Sequence, residues 1–339
     1  MRLLILGGTA FVGRAIASQS VARGWAVMTF NRGMSGSDVA GVKTIRGDRY
    51  SSADLAELAA AGTWDAIVDT SGYVPRNVLR TATALRGRAS RYLFMSTVSV
   101  YAAWPVESLD EDSTLLDCPP DADESFGQDT EDGPTRYGYQ KSGCEAAVQL
   151  AFGESQATLL RSGVVLGPNE YVGRLPWWLR RVAEGGRVLA PGDPDRTIQP
   201  VDVRDLATFA LHAIEHDLSG PFNVTAPTDF DTFGGLLSHC KEATQSVAEL
   251  VWVPDDDLVR AGVRQWSEIP LWRTFPGVWQ VSSARAHAAG LVCRPLRSTV
   301  HDTWAWMATL ASRQIVNERS GEIGLSKERE AQVLATVIT

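Results

Sequence analysis

The sequence has little cysteine, and what it has is dispersed: Cys118, Cys144, Cys240 and Cys293 stand alone, with no C-x-x-C pair. That spacing argues against a disulfide framework and a Cys-ligated zinc site, and it fits a reducing compartment. Histidine is scarce too, and no metal site is assigned to His212, His216, His239, His287 and His301. No apolar run approaches the about 20 residues that a membrane span needs. The N-terminal apolar run of four residues is too short for a signal peptide. A cytoplasmic protein with no membrane partner is expected. An excess of basic charge is also missing. The formal net charge is −8, and Glu107 to Pro134 alone holds eleven acidic residues and no Lys or Arg; the remainder carries 32 − 29 = +3. The acidity belongs to one segment, and the overall charge gives nucleic-acid binding no support. There is no repeat and no low-complexity tract.

What is present gathers at the start of the chain. Leu3-Leu4-Ile5-Leu6 suits a strand buried on both faces, and Gly7-Gly8-Thr9-Ala10-Phe11-Val12-Gly13 reads as a glycine-rich turn. Arg14 to Arg23 carries a helical pattern that Gly24 ends, and Ala26-Val27-Met28-Thr29-Phe30 follows as a second strand. Such a βαβ unit presents helix N–H groups and a positive dipole end to a pyrophosphate. Gly7, Thr9, Ala10, Phe11, Val12 and Gly13 are the expected cradle, with Ala10 where the usual G-x-x-G-x-x-G has its middle glycine. Asn31-Arg32 closes the second strand where an NAD site usually carries Asp or Glu for the ribose 2′-OH. A carboxylate repels a 2′-phosphate and an arginine pairs with it, so Asn31 and Arg32 point to NADP(H) over NAD(H). An exposed loop arginine is the alternative.

Strands and helices alternate onward, with strands at Lys43–Arg46, Trp64–Asp69 and Tyr92–Met95 and helices at Ser52–Ala61 and Asn77–Leu85. The pattern predicts an α/β fold: a Rossmann-type doubly wound parallel sheet with a smaller, mixed α/β C-terminal substrate domain. The expected division is 1–167 for the dinucleotide domain, with 198–225 returning to it. Residues 168–197 and 226–316 form the substrate region and 317–339 a helical tail. Asp48, at the third strand's end, either accepts from an adenine amino group or caps the next helix. Thr70 and Ser71 follow the fourth strand, where ligands gather in such sheets.

After the fifth strand come Ser96-Thr97-Val98-Ser99-Val100-Tyr101 and, beyond the acidic segment, Tyr137-Gly138-Tyr139-Gln140-Lys141. Tyr and Lys four apart share one helix face. An ammonium near a phenol lowers its pKa, so the phenol can exchange a proton with a carbonyl or hydroxyl oxygen that Thr97 also holds. Thr97, Tyr137 and Lys141 are the candidate catalytic residues. These motifs, with Gly47-Asp48, Leu160-Arg161-Ser162-Gly163, Gly167-Pro168 and Val201-Asp202-Val203-Arg204-Asp205, resemble the short-chain dehydrogenase/reductase superfamily in its extended, epimerase/dehydratase-like branch. The resemblance covers most of the chain. It implies that Tyr137 is the acid/base, Lys141 its partner and a ribose ligand, Thr97 the orienting hydroxyl and Ser162 a cofactor contact. It also implies a homodimer, since members of that family are often dimers. The turn without its middle glycine is similar to an atypical subgroup often labelled reductase, sugar epimerase or chloroplast stem-loop RNA-binding protein.

Two departures narrow the reaction. Sugar-nucleotide 4,6-dehydratases of that family carry Asp-Glu after the catalytic Thr; here Val98 and Ser99 stand there, which argues against dehydration. Members acting on nucleotide sugars usually place Asn on the substrate's diphosphate, where this chain has Val164. With Arg32, these departures favour an NADP(H)-dependent reductase or dehydrogenase acting on a carbonyl or secondary alcohol of a small polar metabolite. The alternatives are a sugar or nucleotide-sugar epimerase with retained NAD(P), and a catalytically silent NADP-sensing or RNA-binding module. Val98, Ser99, Arg161, Trp177 and Trp266 are candidate substrate contacts. Trp177 and Trp178, beside Arg180 and Arg181, either line a pocket or bury an indole behind a solvated face. The Trp266–Trp279 stretch either covers substrate or packs beneath a loop. The acidic segment is expected to be solvated and mobile. A short strand is expected at Leu291–Cys293, and a last helix capped by Ser326 is expected to pack outside the core.

Overall fold

The computed structural model describes residues 1–130, 133–310 and 323–337. Glu131-Asp132 of the acidic segment and the tail before residue 323 lie outside the described residues. In chain order the elements begin with β1 (Arg2–Leu6), α1 (Phe11–Ala22), β2 (Ala26–Asn31), β3 (Lys43–Arg46), α2 (Ser52–Ala60) and β4 (Trp64–Asp69). Next come α3 (Pro75–Ala84), β5 (Ala89–Thr97), α4 (Arg136–Phe152), β6 (Ala157–Ser162), β7 (Val165–Leu166), α5 (Arg174–Ala183) and β8 (Arg187–Pro191). They continue with β9 (Thr197–Ile198), β10 (Val201–Asp202), α6 (Val203–Glu215), β11 (Gly220–Val224), β12 (Asp231–Thr232), α7 (Phe233–Thr244) and β13 (Glu249–Val253). The last are α8 (Asp255–Arg260), α9 (Ala284–Ala288), α10 (Leu296–Ala308) and α11 (Lys327–Val337).

Two units result. The first comprises Met1–Val164, Val203–Thr225 and Gln280–Val292; the second comprises Val165–Asp202, Ala226–Trp279 and Cys293–Thr339. The first unit is a seven-stranded, fully parallel sheet of order β11-β6-β5-β4-β1-β2-β3. Its middle strands are apolar on both faces because helices cover both: Leu3, Leu4 and Ile5 of β1 and Ile67 and Val68 of β4 are fully buried. α1 packs against α6, and α3 against α4. The chain winds outward from β1 in one direction through β2 and β3, then restarts at β4 in the other. That reversal opens a crevice beyond the carboxyl ends of β1 and β4.

Gln280–Val292, which the sequence reading places with the substrate region, clusters with the first unit. Leu109 N donates to Gln280 O at 2.9 Å, and Asn223 Nδ2 donates to Ser282 O at 3.0 Å. The strand expected at Leu291–Cys293 does not form. Leu291 N is used in closing α9 onto Ala286 O, and Val292 is exposed. The acidic segment is exposed along much of its described length, as expected of a solvated loop, but it is anchored to the first unit. Leu109, Leu116, Cys118 and Ala122 are buried, and Ser142 Oγ donates to Leu116 O at 2.6 Å. Gln140 Nε2 donates to Asp123 O and Phe126 O at 2.8 and 2.7 Å. Apolar residues at irregular spacing anchor it, and no periodicity reveals such anchors.

The second unit is built from short ladders: β7 with β10 and β8 with β13 in parallel, β9 with β12 antiparallel. α5, α7 and α10 pack on one another. α11 does begin after Ser326, whose Oγ accepts from Arg329 N at 3.2 Å. It is, however, not external: Val333 is buried, and Glu330 pairs with Arg181 and accepts from Leu189 N at 2.9 Å.

Candidate active site

The glycine turn sits at the crevice. Gly7 and Gly8 have φ of 109° and 97°, the left-handed region that side chains disfavour. A Cβ on Gly7 would lie 2.6 Å from Thr70 Oγ1, and one on Gly13 would lie 2.7 Å from the same atom and 2.8 Å from Gly8 N. The turn is therefore pressed against the end of β4 and the first turn of α1. Thr70 is the wall behind it, its hydroxyl donating to Leu6 O at 3.0 Å. Ala10, the N-cap of α1, makes no side-chain cap hydrogen bond, so no capping side chain covers the helix start. A glycine cradle with no room for Cβ, ending on an uncapped helix N-terminus, fits a dinucleotide pyrophosphate. Thr9 is buried, its hydroxyl 2.8 Å from Ser35 Oγ; Phe11 and Val12 open the helix.

At the end of β2, Asn31 Nδ2 donates to Gly7 O at 3.2 Å, and Asn31 Oδ1 accepts from Gly33 N at 2.9 Å. Arg32 is exposed, and among the described residues no hydrogen bond or ion pair holds it. Asp48 does not cap α2: Ser51 does, accepting from Asp54 N at 3.2 Å. That removes the helix-cap alternative, and the Asp48 carboxylate accepts from Tyr50 N at 3.0 Å. Ser71 N donates to Asp69 Oδ1 at 3.0 Å.

The three catalytic candidates, Thr97, Tyr137 and Lys141, arrive together because α4 begins on top of the chain that leaves β5. Thr135 caps the helix, and Gly138 lets it settle: a Cβ there would stand 2.2 Å from Ser99 O. Thr97 Oγ1 accepts from Ser99 N at 3.2 Å and donates to Ser99 Oγ at 3.3 Å. One turn into α4, Lys141 is buried; its Nζ donates to Gly72 O at 3.0 Å and to Met95 O. The Phe94 ring lies 4.2 Å from Nζ and the Tyr73 ring 5.4 Å. Burial pushes the ammonium below its ordinary value, opposed by the charges of Cys144, Asp69 and Glu145. Two backbone carbonyls and two aromatic faces thus fix the cation, with one N–H left over. Tyr137, by contrast, is half-exposed at 45 % and lies 6.5 Å from Tyr73, ring centre to ring centre.

Other expected contacts lie elsewhere. Arg161 is a core residue: Nη2 and Nε bind Glu145 at 2.7 and 3.0 Å, and Nη1 donates to Tyr101 Oη at 2.9 Å and Glu111 O at 3.2 Å. Four of its five N–H groups are thus committed to protein acceptors, and the side chain is buried. Val98 is buried, and Ser162 Oγ donates to Ser96 O at 3.1 Å. In the second unit Trp177 is buried edge-on to Trp178, so the packing alternative holds for it. Trp266 has two guanidinium groups over its ring, Arg174 at 5.6 Å and Arg273 at 5.5 Å. Among the described residues no helix is long and apolar enough to cross a membrane, and no cluster of His, Cys, Asp and Glu could hold a metal ion.

Sequence reasoning missed Tyr73 and the buried pair Arg49–Asp69. The guanidinium meets both carboxylate oxygens at 3.0 and 2.8 Å, and Tyr92 Oη donates to Asp69 at 2.8 Å. Tyr73 had a signal, since it follows Ser71-Gly72 at a strand's carboxyl end. The ion pair had none, because its halves are twenty residues apart.

Comparison with known proteins agrees with this geometry. The profile of the NAD dependent epimerase/dehydratase family matches residues 3–225. A chloroplast stem-loop binding protein of 41 kDa (b) from Arabidopsis thaliana is 24% identical over 258 residues, 71% of this chain. The match spans only 63% of that relative's length. A UDP-glucose 4-epimerase structure superposes with a TM-score of 0.69 at 15% identity, over 91% of this chain and 98% of its own. The Bordetella bronchiseptica enzyme WbmG, solved in complex with NAD and UDP, gives 0.68 at 17% identity, over 94% and 98%. These likenesses support the Rossmann-type fold, and the profile match carries more: the chain belongs to the NAD dependent epimerase/dehydratase family of extended short-chain dehydrogenase/reductase enzymes.

Proposed function

We propose that the protein is a sugar-type epimerase, oxidising and re-reducing one hydroxyl-bearing carbon of a small polar substrate with a retained nicotinamide dinucleotide. The observation that carries this reading is the pairing of a rigidly held, buried Lys141 with a half-exposed Tyr137 one helical turn earlier, on a helix seated directly against the Thr97–Ser99 turn. Membership of a family described as epimerase/dehydratase supports this reading over the one-way reductase that the sequence alone favours.

In this reading Gly7, Gly8 and Gly13 with the start of α1 hold the pyrophosphate, and Lys141 and Asp48 reach the ribose and adenine. When bound, the nicotinamide supplies a hydride acceptor and donor at C4. Tyr137 takes the proton of the substrate hydroxyl as the carbon loses hydride, leaving a carbonyl. Thr97 holds the same oxygen. Tyr137 returns the proton when hydride is delivered to the opposite face, so the carbon is inverted with no net oxidation. Dehydration has no base here: after Thr97 come an apolar, buried Val98 and a hydroxyl, Ser99.

A second reading, an NADP(H)-dependent reductase that exchanges its cofactor at each turnover, is favoured by Arg32, exposed at the end of β2 where a 2′-phosphate would lie. Denaturing the purified protein and quantifying released dinucleotide separates the two. The epimerase reading expects about one per chain and epimerisation of a sugar or sugar nucleotide with no cofactor added. Empty protein that consumes NADPH in step with carbonyl reduction would establish the reductase.

A further inference from the structure

Among the described residues, the end of β2 holds a carboxylate that the sequence of that strand lacks. The loop after Arg32 doubles back onto the glycine turn. Ser35 Oγ lies 2.8 Å from Thr9 Oγ1, and Arg14 Nη1 donates to Ser37 O at 2.9 Å. Gly36 passes so close that a Cβ would be 3.1 Å from Thr9 O. This fold-back delivers Asp38 to the end of β2, its Oδ1 at 3.5 Å from Asn31 Nδ2. Arg46, paired in register with Asn31 across β2 and β3, reaches over and grips both oxygens of Asp38 as well as Asn31 Oδ1. Its route crosses Gly33, whose φ is 73° and whose absent Cβ would sit 3.1 Å from Arg46 Nε. Arg46 therefore lies against the turn that carries Arg32.

We infer that Asp38 and Arg46 form the selector for the cofactor's 2′ substituent: Arg46 is a ligand for a 2′-phosphate, and Asp38 is an internal anion that competes with that phosphate for it. The inference rests on the nicotinamide reading above. In this fold the ribose 2′ position lies at the end of β2. Three charged groups stand there: Arg32 without a partner, Arg46 already engaged, and Asp38. A phosphate is best held by guanidinium forks, and two are within reach only when Asp38 gives one up. The pair is built for exchange, since Arg46 is 50% and Asp38 26% exposed and such ion pairs are weak. With a free 2′-OH nothing displaces Asp38, and the pair stays closed.

The test is calorimetric titration of the full-length protein, stripped of dinucleotide, with NADPH and with NADH, for wild type, Asp38→Asn, Arg46→Ala and Arg46→Lys. Removing the competing anion in Asp38→Asn should tighten NADPH about tenfold while NADH moves less than about threefold. Arg46→Ala should weaken NADPH about tenfold or more, because it removes a ligand and frees an unpaired carboxylate; Arg46→Lys should fall between. NADH binding by the same variants shows that the cradle is intact. An NADPH to NADH affinity ratio that stays within about twofold of wild type in Asp38→Asn and Arg46→Ala overturns the inference and leaves the nicotinamide reading standing. So does a parallel loss of both cofactors, which would mean the pair only braces the loop. A wild type that prefers NADH, with a ratio that still responds, removes the NADP(H) preference and keeps the selector. Binding of neither dinucleotide by wild type overturns both.

Discussion

Asp69 in the first unit and Glu170 in the second are both shut away from water, yet they ionise in opposite senses. Burial drives each carboxyl towards neutrality. At Asp69 this is overcome by Arg49, which meets both oxygens, by Tyr92 and by Ser71 N, so the carboxyl stays below its ordinary value. At Glu170 the backbone N–H groups of Arg174 and Leu175, at 2.8 and 3.2 Å, and the charge of Arg174 offset burial only in part, and the carboxyl is pushed up to about 7. A guanidinium that meets both oxygens keeps Asp69 charged; helix N–H groups with the charge of Arg174 do not hold Glu170 below its ordinary value. The first unit uses its buried charges as permanent struts, Arg49–Asp69 under the crevice and Arg161–Glu145 behind Thr97. The second unit holds a carboxyl that titrates near neutrality.

Three substitutions probe that contrast. The largest effect is expected from Arg49→Met, which strands Asp69 as an unpaired buried charge. A loss of about 3–5 kcal/mol in denaturant unfolding is expected, and a loss under 1 kcal/mol would show that the strut is dispensable. Glu170→Gln should give about 3 kcal/mol, spread over pH rather than present at all pH. Because the folded pKa lies above the unfolded one, the stabilisation from the neutral form is complete below about pH 4.3 and is lost as pH rises through about 7. The stability difference between wild type and Glu170→Gln should therefore move against wild type between those limits and then level off; a difference independent of pH would contradict the assignment. The smallest stability change, about 1–3 kcal/mol, is expected from Gly13→Ala, which overfills the space against Thr70 Oγ1 and Gly8 N. Its larger consequence is loss of dinucleotide binding, read by titration at a temperature where the variant remains folded.

The same contrast explains what was legible in the sequence. The first unit's strands carry apolar runs, such as Leu3–Leu6 and Ala66–Val68, separated by helices, and a buried parallel sheet has to be written that way. Its glycines and the Tyr137/Lys141 spacing are local signals as well. Short ladders leave no such trace: β8 went unforeseen, although it pairs with β13 along all five residues. Leu291–Cys293 looked like a strand and was not, because three apolar residues do not outweigh a helix end that needs their amide. Partners remote in sequence were invisible in either unit. Arg161 reads as a substrate contact until Glu145 and Tyr101 claim it, and the buried anchors of the acidic segment, Leu109 and Leu116, do not stand out from its exposed residues. Asp38 is the case nearest to function, since a search for a carboxylate at positions 31 and 32 does not find one that folds back from seven residues on.

The central claim is that Tyr137 moves the substrate proton while the rest of the crevice holds the cofactor. Measuring dinucleotide affinity and turnover side by side for wild type and Tyr137→Phe, on whichever sugar nucleotide or carbonyl the wild type converts, tests it most directly. Affinity within about twofold of wild type and turnover lowered by about 10²–10⁴-fold is the expected result. Turnover that survives the loss of that one hydroxyl would contradict it.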